Sequence, residues 1–565
     1  ADAFRLLLTG QGVHGIRDQL AEHIFHMSAH RIQVVAPDVG GGFGAKNFLY
    51  PEWILVLFAA RQLHRPVRWV SDRAEDFLSS AQGRDNFVRA RLGLDAQGRF
   101  LALEVEIIAN MGAYLSTLGP GPSTNSTSTA MGGVYAIPAV FMETKGTFTN
   151  TVPIDAYRGA GKPEANYLIE RLIDVAARRT GHDRVELRRR NIISKLPFCS
   201  ALGMAIMDGG FAENLEKALL RADYAGFPAR RFEAAQRARL RGIGVACYLE
   251  TARGRPDEAT GIRFEADGRI AIVSGTQSNG QGHETSFAQV AADLLGLPLE
   301  RFRLVQADTG LVPSGGGHGG ARSLHLGGAA LVKAIEKVID KGRLVAAQLL
   351  QCKPAELAFT EGRFAFGDSS EGRSVDLLSV ARAATDRALM PAGIEASLDS
   401  HVDNRLDLFT FPNGCHIAEV EIDRETGRVS LERYTAVDDF GRLVNPLLTE
   451  GQVHGGLAQG IGQAMLEHTV YEEGSAQLLS ASLMDYGLPR ADDLPSFDIG
   501  FNEVPTKANP LGVKGAGQAG AIAAPQTVMN AVLDALSVLG VEHIDMPATP
   551  SRVWEAIRRA RRGGP

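Results

Sequence analysis

The sequence PTKANPLGVKGAGQAG, Pro505 to Gly520, contains a literal GxGxxG at Gly515, Gly517 and Gly520. In a dinucleotide-binding fold that pattern closes a strand and opens a helix within a βαβ unit. Here the residues leading to Gly515 include two prolines and show no alternation of apolar side chains. Proline removes a ladder donor and is excluded from a central strand. The stretch is therefore a glycine loop of another kind. Gly161-Lys162 resembles the end of a P-loop, but Ala156 stands where the first glycine should be and Pro163 where Ser or Thr should be.

The same texture recurs along the chain. Glycine makes up 63 of 565 residues, about 11% where ~7% is usual, and the excess is clustered. The clusters are GGGFG (Gly40 to Gly44), RGAGK (Arg158 to Lys162), SNGQGHE (Ser278 to Glu284), SGGGHGGARS (Ser314 to Ser323), EGQVHGGLAQGIG (Glu450 to Gly462) and GVKGAGQAG (Gly512 to Gly520). Taken singly, each could be a structural turn. Six of them, interleaved with Gln, His, Arg and Ser, point to one large polar ligand touched by many backbone amides. Glycine permits that close approach, and successive N–H groups form anion-binding nests.

Between the loops the chain mixes strands and helices in an α+β pattern. Leu92 to Val105, Ile262 to Gly275 and Val420 to Tyr434 each alternate, turn at Asp and Gly-Arg, and alternate again, predicting hairpins. Helices are predicted over Pro163 to Arg179, Glu213 to Ala222, Gly328 to Leu349 and Pro525 to Leu539, the last with Pro525 in its first turn and Gly540 beyond its end. SGGGHGG is a loop. A boundary between two halves is expected near residues 195 to 245.

Composition excludes several classes. The residues are 45% hydrophobic and 22% charged, as in soluble globular proteins. The net charge of −6 carries no nucleic-acid footprint. Arg188-Arg189-Arg190 and Arg558 to Arg562 read as solvated helix faces or a terminal fringe. Trp53 to Ala60, the longest candidate for an apolar run, falls far short of a membrane span. Four cysteines, Cys199, Cys247, Cys352 and Cys415, are scattered, the closest pair 48 positions apart. That spacing excludes a zinc ribbon, a four-cysteine iron–sulfur motif and a disulfide framework, and fits a reducing compartment. A cytoplasmic location is expected, with a periplasmic one open through a partner's signal.

Five stretches, VVAPDVGGGFGAK, AYRGAGKPEANYLIERLI, GTQSNGQGHETSFAQVAADLLGLP, EGQVHGGLAQGIGQAM and GVKGAGQAGAIAAP, occur in this order. They resemble the large subunit of the molybdenum hydroxylases, the xanthine dehydrogenase, aldehyde oxidase and carbon monoxide dehydrogenase family. The resemblance runs over essentially the whole chain and is of the AYRGAG type. It implies two elongated mixed α/β molybdopterin-binding domains, residues 1–210 and 211–565, with the cofactor buried between them. The second would carry the active-site loop. The cofactor implied is molybdopterin with molybdenum, usually in the cytosine dinucleotide form.

By matching position, Gln11 in TGQGVH would hydrogen-bond a molybdenum oxo ligand, although it could instead simply cap the helix that follows. Gly42, Phe43 and Gly44 would place backbone amides beside the metal, and Arg158 would lie by it. Gln281 in NGQGH would contact the pterin, with Gly280, Gly282 and His283 around it. Ala321, Arg322 and Ser323, with Asp308 and Thr309, would hold the pyrophosphate and nucleotide end. Gln452 would belong to the same cradle, and Lys514 and Gly515 to the loop that closes it. No side chain would ligate the metal. His283 and His318 suit cofactor hydrogen bonds or loop structure better than metal ligation.

The family's reaction takes oxygen from water, attacks an electrophilic carbon and uses a glutamate, in GxKGxGE, as general base. Here the motif reads GVKGAGQ, and Gln518 stands in the glutamate's place. A carboxamide cannot take a proton near neutral pH. Three explanations compete: a variant made to trap a ligand, a natural member with another base or a slower reaction, or a catalytically silent cofactor-binding paralogue. Two other departures concern substrate. Gly159 occupies the place of the copper-holding cysteine of carbon monoxide enzymes, and Asn47 that of a purine-recognising glutamate. Aldehydes or N-heteroaromatics are the substrates left by that comparison.

The family's large subunit also carries an N-terminal region, including a hammerhead domain, before the position of Ala1. That part is absent from this chain, so either the chain is a fragment or a separate polypeptide or domain supplies it. Electrons cannot leave through four scattered cysteines. The expected partners are a [2Fe–2S] small subunit and an FAD-binding medium subunit, assembled as a dimer of heteromers.

Overall fold

The computed structural model describes residues 3–366, 372–390 and 393–562. The first described elements are β1 (Phe4–Leu7), α1 (Val13–Gln19) and β2 (Ile32–Val35), with β1 and β2 paired in parallel. A three-stranded sheet follows from β3 (Asn86–Leu94), β4 (Phe100–Gly112) and β5 (Ala139–Phe148), covered by α2 (Lys162–Thr180). Beside a small three-stranded sheet of Leu357–Thr360, Arg363–Phe366 and Ser374–Asp376 and a two-stranded one of Phe198–Cys199 and Ala205–Ile206, most of the rest builds two four-stranded sheets. Their elements are β6 (Arg239–Leu249), β7 (Asp257–Phe264), β8 (Ile270–Ser274), α3 (His283–Leu295), β9 (Phe302–Val305), α4 (Gly328–Leu349), β10 (Ser400–Arg405), β11 (Asn413–Asp423), β12 (Val429–Asp439), α5 (Pro446–Met465), β13 (Phe497–Phe501) and α6 (Ala519–Leu536). One sheet runs β9-β8-β7-β10 and the other β13-β12-β11-β6.

All three expected hairpins form. β3–β4, β7–β8 and β11–β12 are antiparallel, and Gly98, Gly268 and Gly427 take positive φ at their turns. The helix over 328–349 has the expected bounds, and those over 162–180 and 211–221 lie within two residues of expectation. The two parts of the chain are joined by backbone: Ala36 N donates to Ala307 O at 2.9 Å and Thr309 N to Val34 O at 3.0 Å. A single buried cluster also takes in β4, α2, the helix 211–221 and β6, so residues on both sides of 210 share one core.

α6 corrects two expectations. It begins at Ala519, and Pro525 lies inside it rather than in its first turn. The segment before Pro525, AGAIAA, is small-residue helix. It nests against α5, where a Cβ on Gly460 would stand 2.7 Å from that of Ala524. Close packing there outweighs the single backbone bond that proline forfeits. Every residue of α6 is buried, because β6 presents glycines to it. A Cβ on Gly244 would meet Thr527 O at 2.0 Å. Ala519–Leu539 is also long and apolar enough, at mean hydropathy 1.3, to cross a membrane, but 83% of the tested window is buried inside the protein. It is a core helix, and it exceeds the Trp53–Ala60 run.

The reading of Arg188 as a solvated residue is also corrected. Its side chain is fully buried, donating to Glu170 Oε2 from Nε (2.8 Å) and Nη2 (2.6 Å) and to Asp174 Oδ1 (2.9 Å). Only Arg189 and Arg190 of the triplet reach solvent.

Candidate active site

All six glycine loops reach the wall of one cavity of about 1240 Å³. Sixteen of the 45 lining residues are glycine, against 63 in 565 overall, so the excess concentrates on this wall. Gln11, Phe43 and Arg158 line it from the first part of the chain, and Gln281, Gln452 and Gln518 from the second.

Gln11 follows β1 and does not cap α1; the N-cap is Gly12, with no side-chain cap. Buried to 2% exposure, its Oε1 accepts from Gly44 N at 2.8 Å and Lys46 N at 3.1 Å. That fixes the amide, and among the described residues Nε2 has no partner. The donor is left for the cavity. The same bond corrects one expectation: the Gly44 amide is used by Gln11, so only the Gly42 and Phe43 amides remain free among the described residues. Phe43 sits at φ +57° and is 47% exposed on the cavity wall. An exposed phenylalanine in left-handed backbone is strained by about 1–3 kcal/mol, a pattern found at ligand sites.

Arg158 is a clamp. Nε donates to Gly517 O, Nη1 to Gln459 Oε1 at 3.0 Å and Nη2 to Gln452 O at 3.0 Å, and the guanidinium lies 5.5 Å from the Phe43 ring centre. Burial pulls its pKa down to about 10, which leaves it charged at neutral pH. One cation thereby ties the GGGFG loop, α5 and the Gln518 loop together. Gln518 is the N-cap residue of α6 and lines the cavity. Gln459 escaped sequence reading, although it stands two helical turns after Gln452 and so shares its face.

On the opposite wall, Gln277 and Asn279 both donate to Gly10 O, at 2.6 and 3.1 Å, which seats the Ser278–Glu284 loop against the Gln11 turn. Gly280, Gln281 and Gly282 line the cavity, as do His318 and Ala321. His283 starts α3 just outside the wall. Burial pulls His283 down to about 3 and His318 to about 4, so both imidazoles are neutral.

Several residues expected to hold the cofactor are committed elsewhere. Arg322 is wholly buried and donates to Glu258, Gly317 O and Asp257 O; it builds the SGGGHGG loop from behind. Ser323 bonds Thr276. Asp308 accepts from Gln33 Nε2 at 2.8 Å, and Thr309 Oγ1 from Val34 N at 2.9 Å. Lys514 Nζ is paired with Asp208 and Asp439, each at 2.7 Å, and Gly515 packs on Ala321. These six shape loops and seams, and their side chains do not line the cavity.

Two charged residues were missed. Lys162 lines the cavity and donates to Ser126 Oγ at 2.7 Å. Glu250, at the end of β6, is fully buried with neither oxygen hydrogen-bonded. Lys162 was visible in RGAGK; a lone glutamate after CYL gives no sequence signal. Burial raises the Glu250 pKa from 4.5 to about 8, against the pull of Lys162 and Arg158. A carboxyl raised in the folded state contributes stability that is present below its unfolded pKa and is lost as pH rises towards the folded value. The difference in Tm between Glu250→Gln and the unchanged chain should therefore grow in the variant's favour from pH 5 to pH 8. Calorimetry across that range checks it, and a flat difference contradicts it.

The wall fits a long anionic group rich in hydrogen-bonding atoms. His318 Nε2 is buried without a partner, and the GGGFG loop packs so closely on the protein's own atoms that Gly42 and Gly44 admit no side chain. A Cβ at Gly42 would stand 2.6 Å from Gln11 Cδ, and one at Gly44 2.3 Å from Ala156 O. Residues 1–192 and 217–495 each match a molybdopterin cofactor-binding domain. The chain belongs to the molybdenum hydroxylase large-subunit family. Neither match is to a hammerhead domain. The chain is 33% identical to the carbon monoxide dehydrogenase large chain of Hydrogenophaga pseudoflava, over 98% of this chain and 70% of that protein. It is also 33% identical to the nicotine 6-hydroxylase large subunit of Paenarthrobacter nicotinovorans, over 94% of this chain and 66% of that one. The crystal structure of quinoline 2-oxidoreductase from Pseudomonas putida 86 superposes with a TM-score of 0.92 at 33% identity, covering 98% of this chain and 72% of that one. These relatives are oxidoreductases, and the family's large subunits work in multi-subunit complexes.

Proposed function

We propose that this chain is the catalytic subunit of a complex that hydroxylates an aldehyde or N-heteroaromatic carbon with oxygen from water. The convergence of six glycine loops on one cavity, with Gln11, Arg158 and Gln518 on its wall, carries this reading. The molybdopterin cofactor, in the cytosine dinucleotide form on this proposal, supplies the oxygen-transfer and two-electron chemistry when bound. The protein's residues do the rest. Gln11 offers a fixed N–H, the Gly42 and Phe43 amides offer two more, and Arg158 holds the three loops in register. Gln518 can orient a substrate or a hydroxyl but cannot store its proton.

Carbon monoxide oxidation is not the reading preferred here. Gly159 sits at φ +100°, and a Cβ there would meet Pro163 Cγ at 2.5 Å, so a cysteine does not fit without a shift. Two relatives named for nicotine and quinoline favour the heteroaromatic half of the proposal. We further propose a division near residue 210, [2Fe–2S] and FAD partner subunits, assembly as a dimer of heteromers, and a cytoplasmic site of action. A second reading, a silent cofactor-binding paralogue, rests on Gln518 alone. Turnover of a panel of aldehydes and N-heteroaromatics with an artificial electron acceptor tests the proposal. Oxidation of one class supports it, and a cofactor-loaded complex inert to the whole panel favours the silent reading.

A further inference from the structure

A hydroxylation that starts at a water or hydroxyl oxygen releases one proton, and Gln518 cannot hold it. The titratable side chains on the cavity wall are Asp38, Tyr157, Arg158, Lys162, Arg255, Glu284 and His318. Tyr157 already carries its proton, and burial holds His318 down to about 4, a weak acceptor. The two arginines stay protonated. Asp38 and Glu284 are solvent-exposed, and lie beside GGGFG and in the 278–284 loop. Lys162 alone sits in the Arg158 loop, which is hydrogen-bonded directly to Gly517, the neighbour of Gln518.

We propose that Lys162, backed by the buried carboxyl of Glu250, is the proton acceptor of this cavity. The inference rests on the hydroxylase reading above and names how that reading works without a glutamate at position 518. Lys162 opens α2, and among the described residues its Nζ is hydrogen-bonded only to Ser126, whose own hydroxyl donates to Ala160 O. A neutral amine with one N–H on Ser126 keeps its lone pair for a donor in the cavity. Behind it, both Glu250 oxygens are buried and unbonded, an arrangement that is stable only if a proton or a cation answers it.

The charges facing this pair are few. Glu250 faces Lys162 and Arg158, with Tyr248 on its own strand. Lys162 faces Glu250 from β6 and Glu164 from its own helix, and Glu164 is bound by Arg84 at 3.5 Å. Arg158 has Tyr157 beside it. Burial lowers the lysine and raises the glutamic acid, which brings the two acceptors towards the same range. In the step, an O–H bond in the cavity breaks as an N–H bond forms at Nζ. The ammonium then passes the proton to cavity water, which restores the resting charge. No redox partner is needed.

Trace labelling of the purified complex with acetic anhydride between pH 6 and pH 11, read by peptide mass spectrometry, tests the inference without depending on turnover. Lys162 should react with a clearly lower midpoint than the exposed Lys195 and Lys507. In Glu250→Gln the midpoint should fall further, because the answering charge is gone. A midpoint equal to that of the exposed lysines, or no reaction at any pH, overturns the proposal. A second arm uses turnover. Lys162→Arg keeps a long basic side chain but stays protonated and cannot accept a proton, so it should lose activity like Lys162→Met, by about 10²-fold in the Gln518 chain, and lose less in a Gln518→Glu chain. Full activity in Lys162→Arg overturns the assignment. Absence of turnover in every chain would sink the hydroxylase reading while leaving the labelling result to stand on its own.

Discussion

Gln518→Glu should raise the turnover of the cofactor-loaded complex by about 10²-fold, the lower end of what a positioned general base contributes. The side chain sits at the N-cap of α6, on the cavity wall. A carboxylate there keeps the amide's size and meets the positive end of the helix dipole, which favours its charged form by about 0.3–1 kcal/mol. The gain stays at the low end because Lys162 already accepts part of the load. kcat should change more than KM, since a proton acceptor acts in the transition state and not in binding. Steady-state rates for both chains at matched molybdenum content check this. An equal or lower kcat would show that position 518 is not where the proton is taken.

Much of this site was legible in the sequence, for a physical reason. A ligand held by many backbone amides demands glycine wherever the chain approaches it, and glycine clusters can be read directly. GGGFG, RGAGK and SNGQGHE all arrive on the cavity wall. The same texture misleads where glycine serves the fold. Gly515 packs on Ala321, and Lys514 beside it is buried against Asp208 and Asp439, so the motif reaches the cavity only at Gly517 and Gln518. Arg322 reads as a phosphate ligand in HGGARS, yet its partner Glu258 is 64 residues away in sequence, and no local pattern announces that bond. Glu250 was illegible for the same reason: its meaning comes from Lys162 and Arg158, which tertiary packing brings to it.

Arg188→Met should lower the stability of the chain by about 3–5 kcal/mol, the range for removing one partner of a buried ion pair. Glu170 lies at 0% and Asp174 at 2% side-chain exposure, and Arg188 is the cation that reaches both at 2.6 and 2.9 Å. Glu170 also accepts from Tyr135 Oη and from Cys247 N, so the triad ties α2 to β6. Without Arg188, Glu170 has no ion-pair partner among the described residues and must stay desolvated or take up a proton, while Asp174 keeps Arg184 at 3.6 Å. Arg189→Met is the control. Its pair with Glu216 is half-exposed, 45% and 53%, and a surface pair of that kind is worth about 0–1 kcal/mol. Urea unfolding of the three chains should show a clear drop in midpoint for Arg188→Met and almost none for Arg189→Met. Equal midpoints for the two variants would contradict the buried-triad account. Three consecutive arginines are alike in sequence; only the helical phase that turns Arg188 alone towards α2 separates them.

The central claim is that one cavity, assembled from six glycine loops, holds a molybdenum pterin cofactor. Elemental and pterin analysis of the purified protein tests it most directly. The account predicts close to one molybdenum and one pterin cofactor per chain, with cytosine nucleotide released on hydrolysis. A well-folded preparation that contains neither molybdenum nor pterin, from cells that make the cofactor, would contradict it.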